Sequence, residues 1–155
     1  AGYDDMVARL WATGATVVVF TGFDSSASAV FGKTRGRTAI YNEWVREAAD
    51  RHGALVADYW RWREFSDFRY WAVDRLHMGP PGHTLMAKKV LTLLEGADAI
   101  ATPELESAPE PTRREQLASN ARWTREFVVP WIGRRVRGTS SGDSMGPRYP
   151  AYIRL

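Results

Sequence analysis

The segment Ala15-Thr16-Val17-Val18-Val19-Phe20 decides the fold of this chain. It is a continuous apolar run rich in β-branched residues, which is the pattern of a parallel strand buried on both faces. A second run of similar character, Ala54–Tyr59, follows after a segment with helical periodicity. Because neither run has a polar face, each is predicted to lie inside a sheet with a neighbouring strand on either side.

Segments with helical periodicity flank the two predicted strands. Apolar residues recur three and four positions apart in 3–11 and in 40–49, and Pro81 opens a third helix whose apolar side runs to Leu94. The order helix, strand, helix, strand, loop, helix is typical of an α/β protein with a parallel sheet between layers of helices. Two strands cannot complete such a sheet. We therefore expect more strands upstream and interpret the chain as the carboxy-terminal part of a larger domain.

The chain changes character after residue 95. Residues 96–111 are rich in proline and acidic residues and are predicted to form a linker or a strap over the surface. Residues 112–155 are predicted to form a helix that stops at Pro130, followed by a basic tail that is extended or partly disordered. The sequence thus predicts three parts: an α/β body over 1–95, the linker, and this helix with its tail.

The composition excludes several classes of protein. The 155 residues include no cysteine, so disulfide bonds, thiolate nucleophiles and cysteine-ligated metals are impossible. No apolar run is long enough to span a membrane and no signal peptide is visible, so we expect a cytoplasmic protein. The net charge of +3 is small and does not by itself imply a nucleic-acid partner. Arginines crowd the carboxy-terminal end, at positions 134, 135, 137, 148 and 154.

One short motif carries the strongest chemical signal. Asp74-Arg75-Leu76-His77 places a carboxylate and an imidazole three residues apart in a loop, and the run Gly79–His83 then leads into the third helix. An aspartate that binds one ring nitrogen of a histidine leaves the other nitrogen free to act as a base. The alternative interpretation is a carboxylate that caps the helix or pairs with Arg75, beside a solvated histidine.

The motif and the element order before it resemble the SGNH (GDSL-type) serine hydrolases over roughly residues 1–94. The strand at 15–21 resembles the strand after the family's third motif block, Tyr41-Asn42 lies in the next helix, and Asp74–His77 resembles the last block. The resemblance implies a three-layer, flavodoxin-like α/β fold. It also implies that the complete protein hydrolyses a small ester through a Ser-His-Asp triad without a metal or cofactor. In that triad Asp74 would orient the imidazole and His77 would be the general base.

The nucleophile that the resemblance implies is absent from its expected place. The family carries it in a Gly-Asp-Ser block, and this chain has no such block ahead of Ala15. We expect the serine upstream of Ala1, in a portion with which this chain or a second copy would associate, and we expect the 155 residues alone to be inactive. Gly142-Asp143-Ser144 would instead imply a circularly permuted enzyme. Its flanks lack the strand and helix that surround a nucleophile block, so a tail serine is the preferred interpretation.

The sequence gives weaker evidence that other side chains belong to a catalytic or substrate-binding site. The loop after the first strand holds Asp24 and three serines, which line either a substrate cleft or an ordinary polar loop. His83 is interpreted as a helix-start residue and His52 as a helix cap. Six aromatic residues ahead of the motif form either an acyl-binding wall or core: Trp60, Trp62, Phe65, Phe68, Tyr70 and Trp71.

Two other functions stay open. The chain is alternatively a non-catalytic binding module whose basic tail meets an anionic partner, either nucleic acid or membrane phosphate. No nucleic-acid-binding fold motif accompanies the arginines. Metal-dependent hydrolysis by Asp74, His77 and His83 is a third hypothesis, which the family resemblance and a strained ligand geometry disfavour.

Overall fold

A computed structural model describes most of the chain. Its contacts divide the chain into two compact units, residues 1–106 and 107–155. The boundary falls inside the segment 96–111, and the three-part division of the chain stays a prediction. The described residues are 2–28, 31–96, 100–107, 109, 111–140, 142–143, 145–147 and 151.

The first unit follows the predicted order of helices and strands. Short 3₁₀ turns fill the segment 59–70 between the second strand and the third helix. No helix in the described part of the chain is both long and apolar enough to cross a membrane. The elements are α1 (Gly2–Trp11), β1 (Val18–Phe20), α2 (Arg35–His52), β2 (Leu55–Ala57) and α3 (Pro80–Glu95).

The strands β1 and β2 are parallel neighbours, as their patterns predicted. The register pairs Val19 at the centre of β1 with Val56 at the centre of β2. The N–H of Leu55 also donates to the carbonyl of Val17, at 2.9 Å. Each strand has three residues, fewer than predicted. The described sheet consists of β1 and β2. The class is α/β with a parallel pair, and the described residues do not form the larger three-layer sheet.

A small apolar core joins α1, β1 and α2. Val7 of α1, Val19 of β1 and Val45 of α2 are buried together, with Ala49 beside them. The helix α2 ends at Gly53, whose φ of 71° is readily adopted only by glycine and whose N–H bonds to the carbonyl of Ala49. This ending turns the chain back at once into β2, beside β1.

Much of the apolar surface of α1 and α2 is nevertheless exposed. Trp11 is 55% exposed and Trp44 is 64% exposed, although both lie on predicted apolar faces. Phe20 at the end of β1 is 41% exposed. The first unit therefore presents more apolar surface than its own described residues cover. Further large apolar side chains exposed here are Met6, Leu10, Ile40 and Tyr41.

The second unit is built on a helical segment from 113 to 136. The helix α4 (Arg113–Trp123) begins with a capping box, in which the side chains of Thr112 and Glu115 each accept the other's backbone N–H. A π-helical turn (Thr124–Val128) and the helix α5 (Val129–Val136) follow without a break.

The prediction that this helix stops at Pro130 is wrong. Proline lacks an N–H, and in a regular α-helix its ring collides with the carbonyl four residues back. Here the preceding turn is π-helical, with the N–H of Val129 donating to the carbonyl of Thr124 five residues back. The widened turn accommodates the proline ring. Residues 131–136, which were predicted to be extended or disordered, are helical as a result.

Candidate active site

The Asp74 motif lies in a short closed loop ahead of α3. Trp71 and Met78 form an antiparallel bridge across the base of the loop. The N–H of Ala72 donates to the carbonyl of His77 at 2.8 Å, which ties the two ends of the loop together. The backbone therefore fixes the positions from which the motif side chains extend.

The carboxylate of Asp74 holds both the ring and the backbone of His77. Its Oδ2 lies 2.5 Å from His77 Nδ1, the contact expected from the spacing. Its Oδ1 accepts hydrogen bonds from the backbone N–H groups of Leu76 and His77, each 3.0 Å long. Burial acts to raise the pKa of the Asp74 carboxyl, but these hydrogen bonds outweigh it, and the pKa lies below its usual range. The carboxylate is therefore charged at neutral pH.

The ring of His77 is open to solvent, unlike the carboxylate that orients it. The side chain of His77 is 78% exposed and that of Asp74 is 22% exposed. Within the described residues, Nε2 has no hydrogen-bond partner. A charged carboxylate at Nδ1 favours the tautomer with its proton there, which leaves the lone pair of Nε2 able to take a proton. The arrangement is that of an oriented base.

Arg75 is the strained residue of the loop, a feature that the sequence pattern does not predict. Its φ of 56° lies in the left-handed region, which costs a non-glycine residue about 1–2 kcal/mol. Asp74 imposes the turn by accepting the N–H groups two and three residues ahead, and Arg75 adopts the backbone angle that the turn requires. The guanidinium carbon lies 5.4 Å from the centre of the Phe68 ring, within cation–π range.

Gly82 allows α3 to begin directly against the base of the motif loop. A Cβ atom at this position would stand 2.2 Å from the carbonyl oxygen of Tyr70. That carbonyl also accepts the N–H of Gly79, at 2.9 Å, so it is held in place. Close packing of the helix start on the loop explains why a glycine is needed here.

Gly82→Ala is expected to destabilise the first unit by about 1–3 kcal/mol, because the new Cβ overlaps the carbonyl oxygen of Tyr70, which its hydrogen bond to Gly79 holds in place. Urea unfolding followed by circular dichroism measures the change. Gly36→Ala is the matched control: it adds the same methyl group in α2, where no atom other than the neighbouring helix backbone would lie within 4 Å of it. The control should be neutral or more stable by up to about 1 kcal/mol. Wild-type stability in Gly82→Ala would contradict the packing described here.

The carboxyl ends of β1 and β2 carry a linked set of polar side chains. Thr21 Oγ1 donates to Asp58 Oδ1 at 3.2 Å and accepts the N–H of Trp60 at 2.9 Å. Asp58 also pairs with the guanidinium of Arg46 at 2.9 Å. These bonds hold the two strand ends together, so the set has a structural role.

Asn42 fixes the backbone immediately after β1. Its side chain is fully buried. The N–H of Gly22 donates to Asn42 Oδ1 at 2.7 Å, and Asn42 Nδ2 donates to the carbonyl of Gly22 at 3.2 Å. A Cβ on Gly22 would stand 2.7 Å from Cγ2 of Thr38, so the chain passes α2 in close contact. The asparagine of the Tyr41-Asn42 pair thus positions the loop that leaves the sheet.

The aromatic residues ahead of the motif are partly core. Phe65 and Tyr70 are buried in one cluster with Tyr59, which favours the core interpretation for these two. Phe23, in the loop after β1, has its ring centre 4.9 Å from that of Trp71. This contact joins the loop after β1 to the entry of the motif loop, at the carboxyl end of β1.

The serines after β1 are engaged in local hydrogen bonds. Ser25 Oγ donates to the carbonyl of Phe31 at 3.0 Å, and Ser28 Oγ accepts the N–H of the same residue at 3.2 Å. Residues Ser25–Ala27 form a 3₁₀ turn. Among the residues that the structure describes, no serine hydroxyl bonds to His77. Ser144 lies outside the described residues, so the alternative of a permuted enzyme stays a hypothesis.

Asp24 anchors the same turn through an ion pair. Its carboxylate binds the guanidinium of Arg35 at 2.7 and 3.0 Å and accepts the N–H of Ser26 at 3.0 Å. The hydrogen bond from Arg35 lowers the pKa of Asp24 to about 2, although burial opposes it. Asp24 therefore has a structural role in this turn. The sequence alone did not separate such a role from the alternative that Asp24 lines a substrate cleft.

Asp24→Asn is expected to cost about 1–2 kcal/mol of unfolding free energy at pH 7, allowing for the solvent exposure of Arg35. The folded-state pKa of Asp24 lies below the unfolded value. The Asp24 carboxylate therefore makes its full contribution to the free energy of unfolding above about pH 5. This contribution is lost as the pH falls towards 2. Urea titrations should show that the difference in unfolding free energy between the wild type and Asp24→Asn falls by more than half at about pH 2.5. Asp50→Asn, an exposed control on α2, should show no such dependence of the stability difference on pH. A stability difference between the wild type and Asp24→Asn that does not change with pH would contradict the ion pair.

The other two histidines lie outside the motif. His52 ends α2, and its Nε2 lies 3.0 Å from Asp4 Oδ1. His83 is exposed in the first turn of α3. Within the described residues, no three His, Asp or Glu side chains are grouped so as to hold a metal ion.

A family match covers the part of the chain that holds this site. The GDSL-like lipase/acylhydrolase family model matches residues 1–85, more than half of the chain. The matched region extends from α1 through the motif loop into α3 and contains both Asp74 and His77. No curated protein and no solved structure matches the chain.

Proposed function

The chain belongs to the GDSL-like lipase/acylhydrolase family, and we propose that it contributes Asp74 and His77 to a Ser-His-Asp triad that hydrolyses esters. One observation carries the proposal. Asp74 Oδ2 lies 2.5 Å from His77 Nδ1, in a loop whose two ends are tied together. The exposed ring of His77 is open to a serine and a substrate from outside the loop.

In the proposed reaction His77 transfers a proton both when the serine is acylated and when the acyl-serine is hydrolysed. Its Nε2 removes the proton from the serine hydroxyl as the serine oxygen attacks the carbonyl carbon of the ester. The ring then returns this proton to the leaving alcohol, and the acyl-serine is hydrolysed by a water that the same nitrogen activates. Asp74 stays ionised, which its lowered pKa favours, and stabilises the imidazolium through Nδ1.

The proposal places the nucleophilic serine and the oxyanion hole upstream of residue 1 in the complete protein. In the described part of the chain, no serine bonds to His77, and β1 pairs only with β2. Upstream strands added at the other edge of β1 would complete the three-layer sheet. The upstream portion would also cover apolar side chains that the first unit leaves exposed, such as Phe20 of β1. A second copy of the chain is the alternative source of that cover.

Ester turnover by two forms of the protein tests this proposal. The chain extended by its upstream coding sequence should hydrolyse a short p-nitrophenyl ester with saturation kinetics, whereas residues 1–155 alone should be inactive. Equal kcat values for the two forms would place the nucleophile within 1–155 and contradict the proposal. A small ester as the natural substrate and a cytoplasmic location remain predictions from the sequence.

A further inference from the structure

An exposed apolar face runs along α5 in the second unit. Val129, Ile132 and Val136 recur at i, i+3 and i+7, which places them on one side of the helix. Their side chains are 57%, 48% and 81% exposed. A contiguous row of exposed aliphatic side chains is a common mark of a surface that binds another surface.

Arginines border this face. By helical geometry, Arg135 and Arg137 stand roughly 100° to either side of it, and both are exposed. The guanidinium carbon of Arg135 lies 5.7 Å from the ring centre of Trp131, which is itself 40% exposed. Residues 113–137 contain seven arginines and two glutamates, so the whole helical segment is cationic. The face thus combines an apolar centre with positively charged flanks.

This combination fits an anionic bilayer better than a nucleic acid. A helix that lies along a membrane surface buries its apolar face at the headgroup boundary, while long cationic side chains on its flanks reach the lipid phosphates. A nucleic-acid backbone would offer phosphates to the arginines. It would offer no apolar surface to the row of Val129, Ile132 and Val136, which would contact only charged groups and water.

We propose that the α5 face, defined by Val129, Ile132, Val136, Arg135 and Arg137, docks on membranes that contain anionic lipids. The helix lies along the surface, with its aliphatic row at the headgroup boundary. The proposal concerns the second unit by itself and does not depend on ester hydrolysis.

Flotation of the whole 155-residue chain with vesicles tests the proposal. Vesicles of phosphatidylcholine with about 30% phosphatidylserine should carry the chain to the top of the gradient. Pure phosphatidylcholine vesicles should bind about tenfold more weakly or less, since the arginines gain from the negative surface potential. Raising the salt concentration from about 0.1 to 0.5 M should weaken binding to the anionic vesicles because it shortens the screening length.

Paired substitutions separate the two parts of the face. Ile132→Ser with Val136→Ser should weaken binding at least about tenfold, and Arg135→Gln with Arg137→Gln about 25-fold, roughly fivefold for each arginine. Arg135→Lys with Arg137→Lys keeps the charge and should bind within about threefold of wild type. Leu117→Ser removes an exposed apolar side chain from α4 instead and should change binding less than about twofold. Circular dichroism should show wild-type helix content in every variant.

Three results would overturn the proposal. The first is binding to anionic vesicles that is no tighter than binding to pure phosphatidylcholine vesicles. The second is unchanged binding in the Ile132→Ser, Val136→Ser variant with its helix intact. The third is a duplex RNA that binds the wild type more tightly than the vesicles do and is indifferent to that variant, since this would assign the arginines to nucleic acid.

Discussion

His77→Ala is expected to lower kcat for ester hydrolysis in the complete protein by on the order of 10²–10⁴-fold, because it removes the general base. The loop should keep its shape, since Asp74 Oδ1 still accepts the backbone N–H groups of residues 76 and 77. The side chain of His77 is 78% exposed, so its removal leaves no cavity. Steady-state kinetics with a short p-nitrophenyl ester measure the loss.

His83→Ala is the matched control for this experiment. It removes another exposed histidine, six residues later in α3, and should keep kcat within about twofold of wild type. A His77→Ala enzyme that loses only a few-fold in kcat would exclude His77 as the general base.

Asp74→Asn is expected to lower kcat by on the order of 10³–10⁴-fold while leaving the loop folded. The asparagine oxygen can still accept the backbone N–H groups of Leu76 and His77. Its amide nitrogen, however, donates towards Nδ1, so the ring must present an unprotonated nitrogen there and carry its proton on Nε2. Nε2 can then no longer accept the proton of the serine.

Asp67→Asn controls for the loss of a turn-capping carboxylate. Asp67 likewise accepts the backbone N–H two residues ahead, from Arg69 at 2.9 Å, and pairs with the guanidinium of the same residue. This variant should keep kcat within about twofold. If Asp74→Asn retained more than about a tenth of the wild-type kcat, orientation of the ring by Asp74 would not be needed for turnover.

Local patterns in the sequence predicted two central features. The contact between Asp74 and His77 follows from a spacing of three residues, which a single tight turn can close. The parallel pairing of β1 and β2 follows from apolar runs with no polar face, separated by a helix. In both cases the determining interactions lie within a short stretch or a regular repeat.

Other features depend on neighbours that a local pattern does not contain. Periodicity placed Trp11 and Trp44 on apolar faces, but it could not show that the described residues leave these side chains exposed. Proline is expected to end a helix only if the turn before it is regular, and the π-helical turn before Pro130 removes that condition. The bridge between Trp71 and Met78 joins residues on opposite sides of a loop, and no propensity of either residue encodes it.

Labelling with a fluorophosphonate tests most directly whether His77 activates a serine, because the reagent bonds to serines that a neighbouring base has activated. In the complete protein it is expected to label one serine stoichiometrically, upstream of residue 1. His77→Ala should slow that labelling by on the order of 10²-fold or more, and residues 1–155 alone should stay unlabelled. Stoichiometric labelling of Ser144 would contradict the proposed upstream nucleophile, and a labelling rate unchanged by His77→Ala would contradict the proposed role of His77.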